Sequence, residues 1–288
     1  MKELKILGVV IFFTLIVYIG VEPFAHSQMH HKADPADFSF KDLPPNNKVG
    51  DITRGKELVM GAGACTGCHS IKSIGIEAPM DDATASASYG VVPPDLSSIG
   101  YLYDENFLAA LIKDPKVALK VEHKFQNKPH PMSSFAGAGG DIDQEIADMV
   151  SYFKSIAPKK MSDKEVFIDA CGRCHSMKYD KFIRNSDSKS LQDYLGSNPP
   201  DLSITIRWKS KEYLETFINN PQSQLHGTAM PRVGLKEAPQ EQIINYFESV
   251  GDSKKAERES LTPKIIGFFI IFTILAYLWK KSMWREVQ

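Results

Sequence analysis

Cysteine is scarce in this sequence, and its charge is nearly balanced. Four cysteines occur among 288 residues, and the formal net charge is −1. The basic residues form only short, scattered clusters, which are more typical of a solvated surface than of a nucleic-acid interface. Neither a glycine-rich phosphate loop nor a Ser-His-Asp set typical of hydrolases stands out. These absences argue against nucleic-acid binding and against common group-transfer chemistry, and they make the four cysteines the most informative residues.

All four cysteines lie in two copies of one motif. Residues 65–69 read CTGCH and residues 171–175 read CGRCH, and C-x-x-C-H is the attachment signature of a c-type haem. Two thiols on one turn can form thioethers with a porphyrin, and the histidine that follows can bind the iron. A zinc site or a redox dithiol could also use C-x-x-C, but neither requires the histidine. We therefore predict two covalently bound haem c groups. The residues expected to bind them are Cys65, Cys68, His69, Cys171, Cys174 and His175.

The sequence around the two boxes is duplicated. A Pro-Pro-Asp-Leu segment follows each box, at 93–96 and at 199–202, and a helical stretch then ends at an Asp-Pro or Asn-Pro step. These landmarks keep a constant offset of 106 residues. Each copy continues into a proline-flanked loop with one methionine, Met132 or Met230, and the first copy has eight more residues before its methionine. A repeated module is the interpretation that accounts for this spacing.

Two apolar runs lie near the ends of the chain. Residues 265–279 are apolar and flanked by lysines, which predicts a transmembrane helix once snorkelling side chains extend the run. Residues 6–21 are also apolar and could be either a cleaved signal peptide or an uncleaved anchor. We favour the anchor, because residues 21–26 are too bulky for a small-x-small cleavage site.

These features divide the chain into segments. Between the first run and the repeats lies a polar stretch whose histidines, His26, His30 and His31, are interpreted as solvated linker residues rather than a metal site. The expected organisation is an N-terminal transmembrane anchor or signal at 1–22, a linker at 23–50, a first module at 51–158, a second module at 159–252, a linker at 253–263, a transmembrane helix at 264–281 and a cytoplasmic tail at 282–288.

Orientation follows from the predicted haems, since haem is attached to c-type apoproteins outside the cytoplasm. We therefore expect both modules on the periplasmic side of a bacterial inner (cytoplasmic) membrane and both termini in the cytoplasm. Lys2 and Lys5, which precede the first apolar run, agree with the positive-inside rule at the N-terminus.

Each repeat resembles a class I cytochrome c in the order of its box, Pro-Asp-Leu loop, helix ending at proline, methionine loop and closing helix. The resemblance implies a mostly α fold with two tandem class I domains. It implies that Met132 and Met230 are the sixth iron ligands, beside His69 and His175. It also implies that the carbonyls of Pro94 and Pro200 accept hydrogen bonds from these histidines. Finally, it places Arg207 as a partner of a haem propionate.

The layout as a whole is similar to the dihaem c-type subunit of some bacterial cytochrome bc complexes (quinol:cytochrome c oxidoreductases). This implies an electron relay that is not an enzyme on its own. Its expected partners are cytochrome b, the Rieske iron–sulfur protein, membrane lipid and, as acceptor, a mobile cytochrome c or a terminal oxidase. Two alternatives stay open: the dihaem subunit of a cbb-type haem-copper oxidase, and a dihaem peroxidase. A peroxidase would need an open iron site, for which the Met132 loop is the candidate.

Overall fold

The structure is a computed structural model that describes residues 2–29, 35–127 and 129–285. The described part is helical and contains no β-strand, which confirms the prediction of a mostly α fold. Its isolated antiparallel bridges pair Ile71 with Ile76, Tyr103 with Leu235 and Met177 with Phe182.

The N-terminal segment is one continuous helical rod. It consists of α1 (Lys2–Leu15), a π-helical turn (Ile16–Val21) and α2 (Glu22–Met29). Residues Leu4–Ala25 are apolar and long enough to cross a membrane, and none of this span is buried in the protein. The helix therefore continues into the beginning of the stretch expected to be a linker. Pro23 lies within this rod, just after the π-helical turn, and its ring nitrogen leaves one backbone carbonyl of the rod without an N–H donor.

The first module packs its first and last helices against each other. It contains α3 (Ile52–Met60), α4 (Asp82–Tyr89), α5 (Ile99–Leu102), α6 (Glu105–Lys113), α7 (Pro115–Leu119) and α8 (Ile142–Ile156). The side chain of Asp51 caps α3 by accepting the Arg54 N–H. Gly55 permits the close crossing of α3 and α8, since a Cβ there would lie 2.0 Å from the carbonyl oxygen of Asp148.

The second module repeats these elements. It contains α9 (Asp163–Cys171), α10 (Ser188–Leu195), α11 (Thr205–Trp208), α12 (Lys211–Asn219), α13 (Pro221–Gln224) and α14 (Glu237–Gly251). The bounds of α10, α11 and α12 lie 106 residues after those of α4, α5 and α6. The small bridges Ile71–Ile76 and Met177–Phe182 show the same offset. The sequence repeat is therefore also a repeat of local structure.

Residues 35–50, here called the strap, pack against both modules. Phe40 and Leu43 are 2% and 4% exposed. The Asp37 N–H and carbonyl both bond to the side-chain amide of Asn219 in the second module, at 3.2 Å each. Asn46 donates to the carbonyl of Asp143 in the first module at 2.8 Å. These residues of the predicted linker therefore contribute apolar side chains to the core. His30 and His31 lie outside the described residues.

The two modules also contact each other directly. Equivalent helices α4 and α10 meet, with the Val92 N–H donating to Ser186 Oγ and the Asp187 N–H donating to Ser86 Oγ, each at 2.9 Å. Both serines are buried. The loop that is longer in the first module adds a contact, because Lys124 Nζ donates to the carbonyl of Leu195 at 2.9 Å. The modules are held together on several sides.

The C-terminal helix α15 (Lys255–Trp284) is 30 residues long and begins directly after the second module. It is apolar enough to cross a membrane, and none of its apolar window is buried. Arg258 pairs with Asp252 through both terminal guanidinium nitrogens, at 2.8 Å each, and Lys255 pairs with Glu248. The helix thus includes most of the predicted linker at 253–263, because these ion pairs tie its first turns to the end of α14.

Candidate functional site

The first C-x-x-C-H box forms a tight turn after α3. Cys65–Gly67 is a 3-10 turn, and the N–H groups of Cys68 and His69 both donate to the carbonyl of Cys65, at 3.2 and 3.0 Å. Ala64 enters this turn with a left-handed backbone, φ 48°, a conformation that is uncommon for a residue other than glycine. The turn therefore holds the two cysteines and the histidine on one short stretch of backbone.

The second box forms the same turn, but the helix that precedes it runs directly into the box. Cys171 is the last residue of α9, and the N–H groups of Cys174 and His175 donate to its carbonyl at 3.0 and 2.9 Å. The first module instead has a Gly61–Ala64 loop between helix and box. The two boxes thus share their internal hydrogen bonds although the helix runs directly into only one of them.

Each box histidine is oriented by a proline carbonyl. His69 Nδ1 lies 2.7 Å from the carbonyl oxygen of Pro94, and His175 Nδ1 lies 2.8 Å from that of Pro200. A carbonyl can only accept, so Nδ1 carries the proton and Nε2 keeps its lone pair free for a metal. This arrangement fits an axial ligand of a haem iron.

The aspartate that follows each of these prolines fixes the loop to the box. The carboxylate of Asp95 accepts the Ser70 hydroxyl, the Lys72 N–H at 3.2 Å and the Ser97 N–H at 2.8 Å. The carboxylate of Asp201 accepts the Lys178 and Ser203 N–H groups at 3.0 and 3.1 Å. The Pro-Pro-Asp-Leu motif therefore positions the carbonyl that holds the histidine.

Burial controls the protonation of both boxes. It raises the pKa of Cys65 to about 11 and that of Cys171 to about 12, and it raises the pKa of Cys174. Burial also lowers the pKa of His69 and His175, against the opposite effect of their proline carbonyls. At neutral pH Cys65, Cys171 and Cys174 are therefore thiols rather than thiolates, and both imidazoles are neutral.

The histidine of each box is not required by a zinc site or by a redox dithiol. Within residues 2–29, 35–127 and 129–285, no three His, Cys, Asp or Glu side chains converge on a point that could hold a metal ion. A planar cofactor that reacts with both sulfurs and takes one imidazole nitrogen agrees better with the two boxes.

The two methionines predicted as sixth ligands lie in loops with different supports. Met132 is half-buried, and its carbonyl oxygen and backbone nitrogen lie 3.0 and 3.2 Å from Nδ1 of His130. Its loop returns to its own module, where the Phe135 N–H donates to the carbonyl of Ile112 at 3.0 Å. Met230 is also half-buried, and its N–H donates to Thr228 Oγ1 at 3.3 Å. Both ligand assignments stay predictions.

Arg207, expected beside a haem propionate, is engaged elsewhere. It is exposed, and its Nε donates to the carbonyl of Gly251 at the end of α14. Tyr101, the corresponding residue of the first module, donates to Gln242 Oε1 at 2.8 Å. Both side chains therefore contact α14, and the structure leaves the propionate role of Arg207 as a prediction.

The sequence reasoning missed two arginines near the boxes. Arg184 donates to the carbonyl of Pro199 at 3.0 Å and to Asn198 Oδ1 at 3.0 Å, so it braces the loop that holds His175. The positive charge of Arg173, inside the second box, adds to burial in lowering the pKa of His69. The two boxes are therefore within electrostatic reach of each other. A lone arginine carries no pattern that marks either role in the sequence.

Comparison with known proteins identifies part of the chain. The cytochrome c family model matches residues 52–157. Cytochrome c1 of Allochromatium vinosum is 23% identical to this chain, in an alignment that covers 42% of this chain and 82% of that protein. No solved structure gives a significant match. Residues 52–157 are therefore a cytochrome c domain, which implies a covalently bound haem c and a role in electron transfer.

Proposed function

We propose that the chain is a membrane-anchored dihaem c-type cytochrome that relays electrons between two partner proteins. The observation that carries this proposal is the recurrence of one histidine geometry in both modules. The family match covers the first module, and the second repeats its helices at a constant offset. The two Nδ1-to-carbonyl distances, 2.7 and 2.8 Å, differ by 0.1 Å. The second module is thus proposed to be a second class I cytochrome c domain.

The residues of each module have defined roles in this proposal. Cys65, Cys68 and His69 would hold one haem, and the corresponding residues of the second box the other. The haem supplies one-electron chemistry when bound, and a His/Met ligand pair favours a high reduction potential. The proline carbonyl fixes the orientation and tautomer of the imidazole, and burial favours its neutral form. Met132 and Met230 would complete the two iron sites.

A cytochrome bc complex is the setting that we propose. The similarity to a cytochrome c1 supports it, and so do the two helices that are apolar and long enough to span a membrane. In this setting the chain receives electrons from the Rieske iron–sulfur protein beside cytochrome b. The modules lie on the periplasmic side of the bacterial inner membrane, and both termini lie in the cytoplasm.

The acceptor is proposed to be a mobile cytochrome c or a terminal oxidase. Residues 51–158 carry 9 Lys and Arg against 14 Asp and Glu, whereas residues 159–252 carry 13 of each. An acidic first module is suited to a basic mobile cytochrome, which it would attract by charge. Electron transfer to such a partner should slow as salt increases; a rate that does not depend on ionic strength would exclude this docking mode.

Haem content tests the dihaem assignment. Alkaline pyridine spectra of the purified chain should give two haem c per polypeptide. Replacing both cysteines of either box by alanine should leave one haem, whichever box is changed. If the second-box variant keeps the full haem content of the unaltered chain, the second module is not a haem domain.

Isolation in mild detergent tests the setting. Copurification of a b-type cytochrome and a Rieske protein, with quinol:cytochrome c reductase activity, is the expected result. A copper–haem oxidase core would instead support the cbb-type alternative. Peroxide-reactive high-spin haem in the isolated chain would support the peroxidase alternative.

A further inference from the structure

The loop that carries Met230 rests on parts of the chain outside its own module. The N–H of Arg232 donates to the carbonyl of Leu119 in the first module at 3.0 Å. Gly234, with φ +76°, lies so close to Phe107 that an added Cβ would be 2.1 Å from its ring. The N–H of Asp104 donates to the carbonyl of Gly234 at 3.0 Å, beside the Tyr103–Leu235 bridge.

Arg232 is the polar anchor of this loop. It lies two residues after Met230, is 2% exposed, and directs both terminal nitrogens at the carboxylate of Asp42 in the strap, with Nη1 at 2.9 Å from Oδ1. Lys120 of the first module pairs with the same carboxylate at 3.1 Å. A buried guanidinium without its carboxylate is strongly unfavourable. Asp42 therefore determines whether Arg232 can remain where it is.

The Met132 loop has a matching carboxylate from its own module. Glu145 of α8 is 5% exposed and accepts the N–H groups of Ala138 and Gly140 at 2.7 and 3.0 Å. Each methionine loop is thus followed by a segment that a carboxylate holds. For Met132 this carboxylate is internal to the module, and for Met230 it comes from the strap, which lies between the N-terminal membrane segment and the first module.

We infer that Asp42 is a positioning residue for the second iron site, holding Met230 in place through Arg232. The inference rests on the proposed function, because it takes Met230 as the sixth ligand of a haem in the second module. Its consequence is that the ligation of the second haem depends on a carboxylate of the strap, whereas the carboxylate that holds the Met132 loop belongs to its own module.

The test replaces Asp42 by asparagine in the full chain with its haems attached. A ferric haem with a methionine ligand has a weak long-wavelength charge-transfer band, and a ferrous haem that has lost this ligand binds carbon monoxide. We expect Asp42→Asn to lose about half of the band, since one of two sites is affected, and to lower the reduction potential of one haem. It should also bind about one more carbon monoxide per chain than the unaltered protein.

Matched variants separate this role from general destabilisation. Asp42→Glu, which keeps the charge, should recover most of the band. Asp193→Asn removes an exposed carboxylate of the second module that pairs with Lys189, and it should change nothing. Glu145→Gln should affect the other haem. Equal loss at both sites in Asp42→Asn, with reduced helical circular dichroism, would indicate general unfolding and overturn the inference.

A methionine variant separates this inference from the proposed function. Met230→Ala should reproduce the spectrum of Asp42→Asn. If Met230→Ala leaves the band intact, the ligand assignment is wrong and the inference fails with it. If Met230→Ala halves the band but Asp42→Asn leaves it intact, the ligand assignment stands and the positioning role of Asp42 is excluded.

Discussion

Leu102 and Trp208 occupy the same position in the two repeats, as the last residues of α5 and α11. Leu102 is 1% exposed, and the backbone from its own carbonyl to the Asp104 N–H pairs with the segment 234–236 of the second module. Trp208 is 63% exposed, and in the described part of the chain nothing pairs with the backbone at 208–210 in this way. Equivalent positions of the two repeats therefore differ in burial where only one of them contacts the other module.

The methionine loops differ in the same direction. The loop after Met132 is held by Glu145 of its own module, while the loop after Met230 leans on the first module and on the strap. The first module therefore holds its own methionine loop and also contacts that of the second module. Two copies of one local structure have become unequal through contacts that neither copy would have alone.

The strongest test of this inequality compares alanine at the two equivalent positions. Leu102→Ala removes a fully buried side chain and should cost about 2–5 kcal/mol of unfolding free energy. Trp208→Ala alters an exposed side chain and should cost about 0.5 kcal/mol. Denaturant midpoints of the full chain in detergent measure both. Similar losses of unfolding free energy at the two positions would show that Trp208, like Leu102, is buried in the full chain.

The repeat itself could be predicted from the sequence, because its landmarks are local. A five-residue box, a Pro-Pro-Asp-Leu loop and a helix ending at proline each have a signature of their own, and the constant offset links them. The helices α4 to α6 and α10 to α12 follow the offset residue by residue. The histidine contacts with Pro94 and Pro200 are what the resemblance to class I cytochromes c implies, and the structure contains both distances.

The contacts between modules could not be predicted, because they join segments far apart in the sequence. Nothing near Asp42 indicates that it meets Arg232, 190 residues later. The strap has the polar, proline-containing composition of a linker, and only its packing shows that Phe40 and Leu43 are core residues.

The closing helices provide a smaller test of the comparison. Tyr246 of α14 donates its hydroxyl to Asp180, whereas the hydroxyl of Tyr152 in α8 is buried with no partner among the described residues. Removing a hydrogen bond of this kind costs about 1 kcal/mol. Tyr246→Phe should therefore lower the unfolding free energy by about that amount, and Tyr152→Phe should leave it nearly unchanged. Equal effects would show that the two tyrosines are equivalent after all.

The smallest expected effect comes from acid acting on the strap. Burial by itself would raise the pKa of Asp42, but hydrogen bonds from Arg232 and Lys120 outweigh it and lower the pKa from 3.8 to about 2. Because the folded value is the lower one, the stabilisation from ionised Asp42 is complete above pH 3.8 and is lost as the pH falls from there towards 2. It should not vary between pH 5 and 8.

Hydrogen exchange at the Arg232 amide measures this effect, because that N–H donates to Leu119 across the module boundary. Its protection, corrected for intrinsic exchange, should be lower at pH 3 than at pH 6 in the unaltered chain. In Asp42→Asn it should already be low at pH 6 and change little with acid, while the amide of Ala138, held by Glu145, reports on the first module. A fall at Arg232 that is as large in Asp42→Asn as in the unaltered chain would assign the acid sensitivity to other carboxylates. A fall confined to the unaltered chain would assign the acid sensitivity of the Met230 loop to this one carboxylate of the strap.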